Sequence, residues 1–383
     1  MKTPTSIVRL ALLGAMSLAL AAAGNPAQGP IRLNLNENPM GPSPLALKAI
    51  EAETKNLFRY VSDEADALTK QIAAHEGVPA EQIVLGDLLE HLGLQLALEG
   101  GPGSEFIYSV PGYLALIDSA ALVGGVGAPV PLNAQGENDL PALLAKIGPK
   151  TRSVFLINPH NPTGTVNDPA AFKSFVRDAS RRALVIVDEA YLEFSDDFAG
   201  QTVVDLVRGG ENVLIYRTFS KAYGLAGMPL GYAIAPAPLA AKLRKAGIGN
   251  PHALNRLALV GASASLRDTE FLPRVHAAMA AERAKWKALC DELGLKETVS
   301  QANFVFIDAK RPTNDVAKAM LAEGVVVARA FPPYDTWVRI TIGLPAENDQ
   351  ARAALRKVLA TKPRSHDSRR SIAAVDCVTD TIA

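Results

Sequence analysis

The sequence predicts an α/β protein built on a largely parallel sheet, and three observations carry that expectation. Short runs that are apolar at nearly every position recur at Ser153–Ile157, Ala183–Val187 and Asn212–Tyr216, as strands covered on both faces require. Phe172–Arg181, between the first two, has helical spacing and the length of a crossover helix, which parallel neighbours need. The alternation continues from about Glu105 to Gly247, which favours one wound sheet over separate helical and stranded parts.

Other elements follow in order. Helical spacing is expected at Leu45–Asn56, Asp66–His75 and Leu89–Leu98. Beyond Asn250 one long helical stretch, Leu254–Leu293, precedes strands at Phe304–Ile307, Val325–Ala328 and Val338–Ile342, an order that suggests a smaller α+β domain. The chain has 383 residues, more than one hydrophobic core normally serves. The expected organisation is an extended arm over residues 24–48 joining the small domain, a large domain over 49–249 and a small C-terminal domain over 250–362. Residues 363–383, polar and aperiodic, are expected to be disordered.

Lys plus Arg and Asp plus Glu each total 39, so nothing in the charge favours nucleic acid or an acidic membrane as partner. Cys290 and Cys377 have no metal-type spacing, so no metal site is expected. Lys2 and Arg9 precede the uninterrupted small and apolar run Leu10–Ala23, too short to span a bilayer but suited to a signal-peptide core. Ala21 to Ala23 supply the small residues for cleavage, and Gly24-Asn25-Pro26 breaks a helix. Residues 1–23 are therefore expected to be a signal peptide, giving a periplasmic or secreted protein with no membrane attachment after cleavage. If the run is instead a stray helix or follows a misassigned start, the protein is cytoplasmic.

Four segments fall where strands should end, the place where α/β sheets bind ligands. They are Asn158-Pro159-His160-Asn161-Pro162-Thr163-Gly164, Asp188-Glu189-Ala190-Tyr191, Thr218-Phe219-Ser220-Lys221 and Arg339-Ile340-Thr341-Ile342-Gly343. Each alone is common; their order and spacing together are hard to obtain by chance.

With Leu33-Asn34-Leu35-Asn36-Glu37-Asn38-Pro39, the run from Ser220 to Gly227, the run from Ser300 to Phe306 and Glu347-Asn348-Asp349, these segments resemble the class I/II aminotransferases. The resemblance is greatest to their histidinol-phosphate aminotransferase branch and runs from about Ile31 to Lys362. It implies the pyridoxal-phosphate (PLP) fold type I, PLP as cofactor, an amino acid and a 2-oxo acid as substrates, and a homodimer. It also implies roles. Lys221 matches the lysine that bonds the cofactor aldehyde. Asp188 matches the buried acid opposite the pyridine nitrogen. Tyr191 and Asn161 match donors to the phenolic oxygen, and Tyr113 an aromatic stacked on the ring. Ser220, Thr218, Asp87, Leu88 and, from a partner subunit, Tyr60 fall at the cofactor phosphate. Arg339 matches the bidentate carboxylate receptor, and Asn36, Arg329 and Asn303 lie in segments that face substrate.

The phosphate end departs from the pattern. Pro229 stands where relatives usually carry an arginine, and Gly86-Asp87-Leu88-Leu89-Glu90 replaces a run of small residues. Two alternatives stay open: a PLP-dependent decarboxylase or other lyase on the same fold, and a degenerate protein that kept the fold without catalysis. The sequence does not identify the amino donor.

Overall fold

The computed structural model describes residues 29–361. The signal peptide expected over 1–23 and the tail expected over 363–383 lie outside the described residues.

Among the described residues twelve strands form three sheets: β1 (Ile31–Leu33), β2 (Ile83–Leu85), β3 (Glu105–Val110), β4 (Val126–Pro131), β5 (Thr151–Ile157), β6 (Leu184–Asp188), β7 (Val213–Thr218), β8 (Gly231–Ile234), β9 (Lys296–Glu297), β10 (Phe304–Asp308), β11 (Val325–Val327) and β12 (Trp337–Thr341). The main sheet runs β2-β8-β7-β6-β5-β3-β4. From β7 to β4 every pairing is parallel, while β8 is antiparallel to both β7 and β2. The protein is thus α/β with a mostly parallel sheet.

Successive side chains point to opposite faces and both faces are covered, so the central strands are apolar on both faces over most of their length. Val154, Leu156, Val185, Val187, Val213 and Ile215 face one layer, packed with Phe172, Phe175, Val176 and Ala179 of the helix Pro169–Ser180. Phe155, Ile157, Leu184, Ile186 and Leu214 face the other, against Leu89, Leu92 and Leu96 of the helix Leu89–Gly100. The helix Pro169–Ser180 starts where it does because Asp168 accepts from Ala171 N–H and Pro169 needs no partner for its nitrogen. Each large apolar side chain buried this way contributes about 1.5–3 kcal/mol.

The C-terminal third builds a second core around Trp286, Phe304, Val305, Ile340 and Leu355. Its three-stranded sheet β12-β10-β9 is antiparallel. Strand β1 crosses from the N-terminal segment to pair in parallel with β11, with Leu33 opposite Val327.

The single long helix expected over Leu254–Leu293 is corrected to two, Arg256–Arg267 and Phe271–Leu293. Pro273 is the cause: in a continuous helix its ring would strike the carbonyl four residues back. Set in the first turn of a new helix, it displaces nothing.

Register brings the chemistry together. Ile157 lies opposite Asp188, and Asp188 opposite Tyr216, so the ends of β5, β6 and β7 open at one rim.

Candidate active site

Asp188 closes β6 and is 4% exposed. Its Oδ1 accepts from Ala190 N–H at 3.0 Å, the sole hydrogen bond to that carboxylate among the described residues. Burial pushes its pKa up to about 7; the Ala190 N–H and Lys221 oppose the rise, while the charges of Asp87 and Glu189 add to it. A buried acid with a lysine in its field and no bonded cation fits a cationic partner brought by a ligand.

Glu189 points to the other face of the sheet. There it accepts from both Nε and Nη2 of Arg217 at 2.9 and 2.8 Å, while Arg217 Nη1 spans both oxygens of Glu76 at 2.8 and 3.0 Å. This buried network fixes the turn after β6 from behind. The sequence reading missed it, and only the acid directly following Asp188 hinted at it.

Lys221 follows β7 across Phe219, which is fully buried against Tyr223 and Tyr232. The turn closes with Gly224 N–H donating to Lys221 C=O at 2.9 Å. Gly224 has φ +73°, and a Cβ there would run into the backbone of Gly41. Lys221 Nζ donates to Leu35 C=O at 3.3 Å and lies 5.9 Å from the Tyr191 ring centre.

Tyr191 stands edge-on to Phe304, ring centres 5.3 Å apart. Its hydroxyl accepts from Asn36 Nδ2 at 3.1 Å and from Asn161 Nδ2 at 3.5 Å. Asn161 precedes a cis proline, as Asn158 does. Its Oδ1 accepts from Arg339 Nη1, and Arg339 Nη2 donates to Asn34 C=O at 2.7 Å. Arg339 is 7% exposed, with Nε lacking a partner among the described residues and its guanidinium 5.4 Å from the Phe304 ring and 4.9 Å from Phe331. Burial lowers its pKa to about 10; Tyr191 opposes the shift and Arg329 adds to it. Such a guanidinium, held in position with a spare donor, suits a carboxylate.

Asn303, fully buried, donates from Nδ2 to Asn36 C=O at 3.0 Å and Glu37 C=O at 3.3 Å, so it ties down the arm. Arg329 is exposed, donates to Ala330 C=O and sits 4.6 Å over Phe331. Tyr113 is 43% exposed, its hydroxyl pushed up to about 12 by burial and then by the charges of Asp188 and Asp87. Its ring therefore borders the same acidic floor.

At the far end, Thr218 Oγ1 accepts from Ser220 N–H at 3.0 Å. The helix Leu89–Gly100 starts at Leu88 with no side-chain cap, leaving amides available to an anion. Leu88 itself is 3% exposed, its side chain turned into the core. Asp87 accepts from Tyr216 Oη at 2.8 Å. Tyr60 lies apart from this cluster within the chain: it is 80% exposed, its ring 5.2 Å from His252 and its carbonyl held by Arg256 Nη2.

Asn34, Leu35, Thr341 and Tyr216 were not singled out in the sequence, although the first three lie inside quoted motifs. Among the described residues no cluster of His, Cys, Asp or Glu could hold a metal, and no helix is long and apolar enough to cross a membrane.

A mostly parallel sheet with lysine, aspartate and tyrosine at its strand ends, faced by an arginine from the smaller domain, defines a PLP-dependent enzyme of fold type I. The residues fit PLP at the ring and aldehyde; at the phosphate, helix amides and Ser220 contend with Asp87. The aminotransferase class I and II family matches over residues 28–355, and the chain belongs to that family. It is 39% identical to the histidinol-phosphate aminotransferase of Limosilactobacillus fermentum, covering 85% of this chain and 89% of the relative. It is 37% identical to histidinol-phosphate aminotransferase 2 of Pseudomonas aeruginosa, over 86% and 89%. The crystal structure of the Sinorhizobium meliloti histidinol-phosphate aminotransferase in complex with pyridoxal-5'-phosphate superposes with a TM-score of 0.76 at 27% identity, covering 93% of this chain and 95% of that one.

Proposed function

We propose that this PLP-dependent aminotransferase works through Lys221, Asp188 and Tyr191, with Arg339 as the receptor for the substrate carboxylate. The observation that carries the reading is the buried Asp188 carboxylate, which has no bonded cation among the described residues and lies in the field of the Lys221 amine. PLP supplies an aldehyde for the amino group and a ring that withdraws electrons from Cα.

The chain supplies the rest. Lys221 would hold the aldehyde, and its amine, when free, would move the proton at the donor's Cα. Asp188 keeps a proton on the ring nitrogen. Tyr191 and Asn161 orient the phenolic oxygen, and Tyr113 covers the ring. Ser220, Thr218 and the amides near Asp87 and Leu88 receive the phosphate. Arg339 sets the carboxylate, and thereby the Cα–H bond, by its fixed fork. Asn303 and Asn36 hold the arm over the site. Arg329, on the rim beside Arg339, favours donors with a second anionic group; histidinol phosphate, in the relatives' names, would instead bring its phosphate where an amino acid brings its carboxylate.

Two further parts belong to this proposal. Exposed Leu57, Phe58 and Tyr60 form an apolar surface that a second copy would cover, bringing Tyr60 to the partner's cofactor phosphate. The Leu10–Ala23 run directs the chain out of the cytoplasm, which would set it apart from cytosolic histidine synthesis.

The test is an absorbance spectrum of purified protein with added PLP, followed by an amino-donor screen that includes histidinol phosphate. A visible band that bleaches with one donor class, and is absent in Lys221→Ala, is expected. No band in the wild type would overturn the reading, and release of carbon dioxide in place of an oxo acid would assign a lyase. Sedimentation and cell fractionation test the dimer and the export.

A further inference from the structure

Three consecutive residues of the arm touch three functional side chains. Asn34 C=O accepts from Arg339 Nη2 at 2.7 Å, Leu35 C=O from Lys221 Nζ at 3.3 Å, and Asn36 Nδ2 donates to Tyr191 Oη at 3.1 Å. The third contact differs in kind, because there the arm is the donor.

The direction of that bond is fixed. Asn36 N–H donates to Thr341 Oγ1 at 3.0 Å, so the Thr341 hydroxyl hydrogen is free to go to Asn36 Oδ1, also 3.0 Å away. With its oxygen engaged by Thr341, the Asn36 amide can turn only its NH2 toward Tyr191. Asn161 is fixed the same way, its oxygen held by Arg339 and its NH2 facing Tyr191. A phenol oxygen has two acceptor sites and one hydrogen. Both acceptor sites of Tyr191 are taken, so its hydrogen must leave the Asn36–Asn161 side.

Asn36 holds this place at a conformational cost. It is one of two non-glycine residues with positive φ among those described, at +57°, and is 1% exposed. Asparagine tolerates that backbone better than most residues, and Asn303 accommodates the turn by donating to Asn36 C=O.

We infer that Asn36 is a positioning residue that orients the Tyr191 hydroxyl as a hydrogen-bond donor into the active site, so that seating of the arm reaches the reacting centre through one amide. The inference rests on the reading of Lys221 and Tyr191 given above. A Tyr191 donor directed at the cofactor's phenolic oxygen favours the oxyanion and lowers the pH at which the cofactor–lysine linkage loses its proton. Without Asn36, Tyr191 can reverse and that midpoint rises.

The experiment is a pH titration of the visible absorbance of the PLP-loaded protein, without substrate. Asn36→Gly keeps the positive φ, adds no charge and removes the donor. The midpoint should rise by about 0.5–1 unit, the size of one hydrogen bond. Thr341→Val, which frees the Asn36 amide to flip, should raise it by a smaller amount, and Thr341→Ser should restore the wild-type value. In a Tyr191→Phe background Asn36→Gly should add no further shift. A merely structural Asn36 would lower the melting temperature in both backgrounds and leave the midpoint unmoved, which overturns the inference. If Asn36→Gly does not fold, the Thr341 pair decides by the same criterion. Absence of any visible band in the wild type would instead remove the underlying reading.

Discussion

Tyr216 donates its phenolic hydrogen to Asp87 across 2.8 Å, so the carboxylate just before the helix Leu89–Gly100 is held beside the anion site by a neutral partner in place of a cation. The helix amides attract an anion there and Asp87 repels it. Asp87→Asn preserves the Tyr216 bond and removes the charge. Because Asp87 is exposed and solvent screens it, a gain of about three- to tenfold in PLP affinity is expected, not more. Fluorescence titration of the apoprotein measures it, and unchanged affinity would show that Asp87 faces away from the phosphate. Pro229→Arg should add to the gain.

Asp188 makes the ligand-free protein sensitive to pH. Its carboxyl titrates near the ordinary carboxylate value when unfolded and at about 7 when folded. The folded state therefore binds the extra proton between those values, and stability declines as pH rises from about 4 to 7. Half-buried Glu193, also raised to about 7 by desolvation, adds a slope of the same sign. Asp188→Asn removes only the first contribution. The wild type minus Asp188→Asn difference in apoprotein melting temperature should therefore fall across pH 5 to 7 and flatten above. A difference that stays constant with pH would place the Asp188 titration elsewhere.

Much of this arrangement was legible in the sequence. The strands β5, β6 and β7 announce themselves because both faces are covered and an unbroken apolar run fills each of them (Val154–Ile157, Leu184–Val187, Val213–Ile215), and the polar residues beyond each run are where the site begins. Less legible were contacts that depend on chain crossing. Nothing in Leu33–Pro39 says that its carbonyls and one amide meet Arg339, Lys221 and Tyr191, since that requires β1 to pair with β11 some 300 positions away. The expected strand ends at Tyr216, while the structure carries it on through Arg217, and alternation sends Tyr216 toward Asp87 and Arg217 into the Glu76–Glu189 pair. The helix break at Pro273 could have been anticipated from proline alone.

Arg217 binds two buried carboxylates, and the cost of removing it should show as stability before it shows as chemistry. Arg217, Glu76 and Glu189 are all nearly inaccessible to water, and Tyr232 and Thr202 complete the network. Arg217→Met leaves two uncompensated acids, which costs about 3–5 kcal/mol. The urea midpoint should drop accordingly, with the wild-type midpoint partly regained in Arg217→Met/Glu189→Gln/Glu76→Gln. A loss below about 1 kcal/mol would mean that water reaches the acids.

Arg339 meets different demands, because its guanidinium is already engaged by Asn161 and Asn34 and flanked by Phe304 and Phe331. Lysine keeps a positive charge but presents a point donor in place of a planar fork, so it cannot bond Asn161, Asn34 and a carboxylate in one plane. Arg339→Lys should therefore lower kcat/KM for carboxylate-bearing donors by about a hundredfold, the loss expected for one charge-assisted hydrogen bond and its alignment. Because Arg339 also fixes the Asn161 amide, kcat should fall along with the rise in KM. Steady-state kinetics with an amino acid and with the same compound lacking its carboxylate separate the two effects. The decarboxy amine should be nearly indifferent to the carboxylate contact and sensitive only to the Asn161 contact. Equal losses for both compounds would show that Arg339 orders the site without receiving the carboxylate.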